Sequence, residues 1–134
     1  MSNANTISYG ALLLRVSLGV MFIAHAALKI VVFTLPGTAQ FFGSLGLPGW
    51  LAYAVTFAEL AGGAALVLGV YARWVAAALV PVLLGALWVH AGNGWLFTAK
   101  GGGWEYPAFL TAAALAVALI GDGALAFRPS RTAS

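Results

Sequence analysis

Cysteine is absent from this 134-residue chain, and with it go disulfides, thiolate nucleophiles, thiolate-bound metals and iron–sulfur clusters. Any redox chemistry must therefore belong to a bound cofactor or a partner chain. Charge is also scarce: 7% of residues are charged, six Lys and Arg against three acids, where soluble domains carry about 25%. Basic residues spread so thinly form no stripe for nucleic acid and no cluster for a lipid headgroup, so no nucleic-acid partner is expected. What fills the chain instead is apolar surface, 63% of residues with a mean hydropathy of +1.00. The expectation is an all-α integral membrane protein surrounded by lipid.

Four stretches are long and apolar enough to span, given that a helix needs about 20 such residues. They fall at about 9–33, 50–70, 73–91 and 105–121, and make one membrane domain, a four-helix bundle without internal repeats. Residues 1–9 read as a polar tail, with Ser8 a candidate cap. Arg15 precedes an apolar run ending in Ala24-His25-Ala26, a passable signal-peptide cleavage site; with Met1 at the head of the chain, the segment is expected to be retained. Residues 34–49 hold two Pro-Gly pairs and further glycines, which favour turns. We read them as an interfacial loop with a short amphipathic piece around 39–45.

Within the second span, Ala54, Ala58 and Gly62 repeat every four residues, as do Ala61, Ala65 and Gly69, a spacing that lets helix backbones approach closely in lipid. Pro81 is expected to kink the third span, and Pro107 is tolerated in the first turn of the fourth. Four spans put both termini on one side. Arg15, Arg73, Arg128 and Arg131 share that side, against Lys29 and Lys100 on the other, which predicts cytoplasmic termini. Arg15 itself reads as an anchor whose long stem lets its charge reach the interface. The five Trp read mostly as belt residues, Trp88 being the exception because of its closeness in sequence to His90.

His25 and Lys29 interrupt the first span, and four helical positions bring them to nearly one azimuth, about one turn apart. With the expected topology they join Glu59, His90 and Glu105, so that five titratable groups from four helices converge near the outer half of the bundle. Such groups are costly at membrane depth, by about 2.5 to 3.5 kcal/mol on insertion scales, and usually face inward and pair. Tyr106 and Asn93 border the same region as hydrogen-bond donors, or tie down the loop. A buried polar network that merely holds the helices in register is the competing structural reading.

Two histidines raise bis-His haem ligation, but His25 lies well inside the first helix and His90 at the end of the third, and small-residue-rich helices leave little width for a porphyrin. A zinc site of two His and two carboxylates would have Lys29 as a competing cation. We expect neither haem nor zinc.

The sequence resembles the DoxX family of small four-helix membrane proteins from about Leu12 to Leu125. The resemblance rests on Phe22-Ile-Ala-His25 followed by Lys29, Phe57-Ala-Glu59-Leu-Ala-Gly-Gly63 with Leu68-Gly69, Tyr71-Ala-Arg73, His90 with Asn93-Gly94, and Gly103-Trp-Glu105-Tyr-Pro107. It departs at Ala26, where the family often has glycine, and over the loop 34–48.

What the resemblance implies is a subunit of quinone-linked oxidoreduction in a bacterial cytoplasmic membrane. A quinone, or a similar lipid-soluble redox molecule, would sit in a polar pocket near His25, Lys29, Trp88, Asn93 and Tyr106. Lys29 or His25 would donate to its carbonyl oxygens while Glu59, His90 and Glu105 relay protons. No dinucleotide fingerprint or other electron carrier is visible, so the chain is expected to be an accessory subunit, within a larger redox complex or a homo-oligomer, and not a complete catalyst. The alternatives are a small proton or solute transporter and a non-catalytic scaffold.

Overall fold

The computed structural model describes residues 3–130, so Arg131 lies outside the described residues. Among the described residues the chain is helical, without strands. The elements are α1 (Asn3–Ala27), continued by a π-helical turn (Leu28–Val32), then α2 (Leu35–Ser44), α3 (Trp50–Leu68), α4 (Ala72–His90) with a 3-10 turn (Ala91–Asn93), and α5 (Glu105–Ile120).

Among the described residues three helical segments are long and apolar enough to cross a membrane: Asn3–Val32, Trp50–Leu68 and Ala72–Asn93. α5 is shorter, at 16 residues about 24 Å by helical rise.

Two expectations need correction. Residues 3–9 are not a free tail but the start of α1. No proline or glycine precedes Gly10 to interrupt the helix, and the Ser8 carbonyl accepts a hydrogen bond from the Ala124 amide at 3.0 Å. The interfacial loop at 34–49 contains a full helix, α2, which brings the count of α-helices among the described residues to five. Thr34 caps it, its hydroxyl accepting from the Gly37 amide at 3.1 Å, and Pro36 sits in the first turn, where its missing N–H costs nothing. α4 runs unbroken through Pro81.

α1 packs along α3 and α4 along α5, while contacts of α3 with α4 and of α1 with α5 close the ring; α2 lies on α3. The core between them contains Leu18, Phe22, Leu66, Leu79, Leu83, Leu110 and Val117.

At the α1–α3 crossing, glycine is a steric requirement. A Cβ on Gly19 would stand 2.7 Å from the Gly63 carbonyl oxygen, and one on Gly63 would stand 2.8 Å from that of Gly19. Neither belongs to the small-residue lines read from the sequence. Of those lines, Gly62 meets Leu79 of α4, whereas Ala54 and Ala61 are exposed.

Polarity is turned inside out. Leu13, Val31, Phe57, Trp88 and Leu119 are exposed, while Arg15, Thr56, Glu59 and Thr111 are buried. Lipid makes such an exterior favourable, and requires that the buried polar atoms be satisfied within the protein. The two threonines achieve this locally: Thr56 donates to Ala52 O at 2.8 Å and Thr111 to Pro107 O at 2.7 Å.

Candidate functional site: a buried ion pair beside a histidine–tyrosine stack

Where α1 passes into its π-helical turn, Lys29 reaches Glu59 in the body of α3. The Lys29 Nζ donates to Glu59 Oε1 at 2.5 Å, with side-chain exposures of 20% and 7%. Widened turns of this kind occur frequently at functional sites. Here the turn carries the only basic residue of the segment Leu28–Val32. Burial strengthens the attraction by lowering the local dielectric, and the pair offsets the desolvation that either charge alone would suffer.

One helical turn earlier, His25 Nδ1 lies 2.7 Å from the Met21 carbonyl oxygen. A carbonyl can only accept, so in the neutral ring Nδ1 carries the proton and Nε2 keeps its lone pair. The ring stacks on Tyr106 of α5, with centroids 5.5 Å apart and planes inclined at 23°. The Tyr106 hydroxyl is buried and has no hydrogen-bond partner among the described residues. An unsatisfied buried hydroxyl costs about 1–3 kcal/mol, so this oxygen is a ready donor for a group with an acceptor.

His90 and Glu105 are engaged elsewhere. No hydrogen bond or ion pair among the described residues joins either to the Lys29–Glu59 pair. His90 Nδ1 donates to Ala86 O at 2.7 Å, and the opposite edge of the ring lies against Gly102. Glu105 Oε1 accepts from the Phe97 amide at 3.0 Å.

Asn93 Nδ2 donates to Gly102 O at 2.8 Å, so it ties down the loop. Trp88 is 62% exposed and points away from the interior. The loop folds back on itself through Trp104 N to Gly94 O, 3.0 Å, and Glu105 N to Trp95 O, 3.2 Å. Against the start of α5 it leaves an open cleft of about 370 Å³ lined by Trp95, Phe97, Glu105, Tyr106 and Phe109.

Arg15 is the residue that the sequence reading misplaced. It is not an interfacial anchor: its side chain is fully buried. Nε donates to Asp122 O at 2.8 Å, Nη1 to Leu66 O at 2.8 Å and Val67 O at 3.0 Å, and Nη2 to Ala124 O at 2.8 Å. The guanidinium thus caps the carbonyl end of α3, where the helix dipole favours a cation, and pins the segment after α5. The same segment is held by Tyr71 N to Arg128 O at 2.8 Å and by Ser130, whose hydroxyl donates to Asp122 Oδ1 at 2.7 Å. Gly69, left-handed at φ 77°, ends α3 and leaves no room for a Cβ beside Arg15 and Ala126.

Apolar helices long enough to cross a membrane, closed around a buried ion pair, define an integral membrane protein with its charges turned inward. The chain belongs to the DoxX family, whose model matches residues 10–92. That range holds His25, Lys29, Glu59 and His90 but stops before Asn93, Glu105 and Tyr106.

Over 78 residues the chain is 41% identical to a Bacillus subtilis (strain 168) protein described as "Putative oxidoreductase CatD", across 58% of this chain and 57% of that protein. The chain thus spans little more than half the length of the curated relative it matches. No solved structure matches it.

Proposed function

We propose that this chain is a membrane subunit linked to oxidoreduction that binds a quinone, or a chemically similar lipid-soluble carbonyl compound, beside His25, Lys29, Glu59 and Tyr106. The observation that carries the reading is the buried Tyr106 hydroxyl, without a hydrogen-bond partner among the described residues, on a ring stacked on His25, which lies one helical turn from Lys29 of the Lys29–Glu59 pair. Family membership and the relative described as an oxidoreductase support it.

The residues fit such a group. A carbonyl oxygen needs a donor, and the Tyr106 hydroxyl is one that no other described residue uses. Developing negative charge needs a cation held out of bulk water, and Lys29 is one. Proton uptake needs an acid or a base within reach, and His25 Nε2 and Glu59 offer sites for a proton. A bound quinone would supply two-electron chemistry.

We further propose that α5 is a fourth span and that both termini lie on the cytoplasmic side. The hydrogen bond between Ser8 and Ala124 supports a shared side, and the placing of Arg73 and Arg128 against Lys100 supports its being cytoplasmic.

The test is titration of the protein in lipid nanodiscs with short-chain ubiquinone and menaquinone analogues, read by tryptophan quenching. Saturable binding that weakens at least tenfold in both Tyr106→Phe and Lys29→Met is expected. No saturable binding to the unaltered protein would overturn the reading. In proteoliposomes, a proton flux abolished by Glu59→Gln would replace it with the transporter reading.

A further inference from the structure

We infer that the cleft between the 94–104 loop and α5 is a second site, one that takes an organic ammonium group carried on an apolar stem. The inference stands apart from what binds beside Lys29 and shares only the Tyr106 wall with that site. Of the five residues lining the cleft, four are aromatic: Trp95, Phe97, Tyr106 and Phe109. The fifth is the carboxylate Glu105.

Aromatic faces attract cations through their quadrupoles, Trp most strongly, and cages of such rings are the usual receptors for quaternary ammonium groups. A neutral aromatic ligand would have no use for the carboxylate. Glu105 uses Oε1 for the Phe97 amide, and its second oxygen makes no hydrogen bond among the described residues. Lys100 belongs to the same loop but does not line the cleft.

The positive end of α5 opposes a cation with roughly half a charge. A full carboxylate at the first position of that helix more than offsets it.

The shape of the wall suggests the stem. Trp95 and Phe97 belong to the loop, whereas Phe109 is on α5, four positions beyond Glu105 and therefore on the same face about 6 Å further along the helix. Trp95, Phe97 and Phe109 are all more than half exposed. A head held among the first two rings and the carboxylate would leave its chain lying over Phe109, toward the lipid. The ligand class is a single-chain cationic amphiphile, large enough to cover the exposed rings.

The experiment uses the full chain in nanodiscs and labelled dodecyltrimethylammonium at low mole fraction, with dodecanol as the neutral comparison and tetramethylammonium as the stemless cation. Saturable binding near one per chain is expected. It should weaken at least tenfold in Glu105→Gln, whose amide oxygen can still accept from Phe97, and in Trp95→Leu, while Lys29→Met binds as the unaltered protein does. Tetramethylammonium should displace the probe only at much higher concentration. Equal saturable binding of dodecanol, or unchanged binding in Glu105→Gln, would overturn the proposal. Because Lys29→Met tests the quinone site and Glu105→Gln tests this one, failure of either reading is recognisable by itself.

Discussion

Lys29 and Glu59 meet across the α1–α3 interface, 30 residues apart in sequence and 2.5 Å apart in space, with the carboxylate almost wholly enclosed. Removing one member of a buried pair strands the other, at about 3–5 kcal/mol, whereas replacing both with apolar groups is often neutral. Lys29 retains some exposure, so the cost here falls toward the lower end. Lys29→Met should therefore lower the thermal midpoint in detergent, and Lys29→Met with Glu59→Leu should restore most of it. A double variant less stable than the single one would show that the pair itself holds the helices.

Tyr106→Phe separates binding from stability. Deleting a hydroxyl that is buried without a partner among the described residues removes a desolvation cost, so the variant should unfold at the same temperature or higher. Its affinity for a quinone analogue should nevertheless fall. A destabilised variant would mean that the hydroxyl has a partner in the folded protein, and the binding argument built on it would fail.

Arg15 has a different signature. Arg15→Met leaves four carbonyl oxygens without their donor, each worth about 1–3 kcal/mol when stranded in an apolar setting. Arg15→Lys should rescue little, because an ammonium on a flexible stem cannot reproduce the planar fork that reaches α3 and the segment after α5 together. Limited proteolysis should cut residues 121–130 sooner in both variants. Cleavage at the unaltered rate would show that Arg15 does not secure this segment.

At the helix crossing, Gly19→Ala and Gly63→Ala each place a methyl group within 2.8 Å of a backbone oxygen. Overpacking of this kind costs about 1–3 kcal/mol, and backbone cannot move aside as a side chain can. Gly10→Ala, with nothing within 4 Å, is the control and should be neutral or slightly stabilising. Thermal melts of the three variants decide the matter.

The absence of native cysteine makes topology testable with single engineered thiols. Asn3→Cys and Arg128→Cys should label with an impermeant maleimide from one side of the membrane, and Lys100→Cys from the other. Labelling of all three from one side would rule out four spans.

The sequence made the apolar helices and the inward charges legible because lipid imposes a simple rule, that a charged residue in a spanning segment must find a partner. Lys29 and Glu59 followed that rule in plain view. Arg15 obeyed it too, but its partners are main-chain carbonyls, which have no signature in the sequence. Only the helix-ending Gly69 and the Gly121-Asp122-Gly123 break hinted that unpaired carbonyls would gather near it.

Helix α2 was legible in principle, since Thr34 followed by Pro36 is a helix start; the repeated Pro-Gly pairs obscured it. The separation of Glu105 and His90 from the ion pair was not legible, because the loop that engages both is held by its own backbone hydrogen bonds. The packing of Gly63 against Gly19 was not legible for a similar reason. Spacing of four marks many possible contact lines, and only the partner helix selects among them.

The grip of Arg15 also bears on how the chain is made. Synthesis delivers this guanidinium early, yet its acceptors arrive late: Leu66 follows 51 residues behind it, and Ala124 follows 109 behind. Until then the guanidinium lacks the carbonyls of Asp122 and Ala124, and an unsatisfied charge in a spanning segment is costly. The segment after α5 thus completes the seating of the first helix, and a product that stops before Asp122 would lack two of the four carbonyls that hold Arg15.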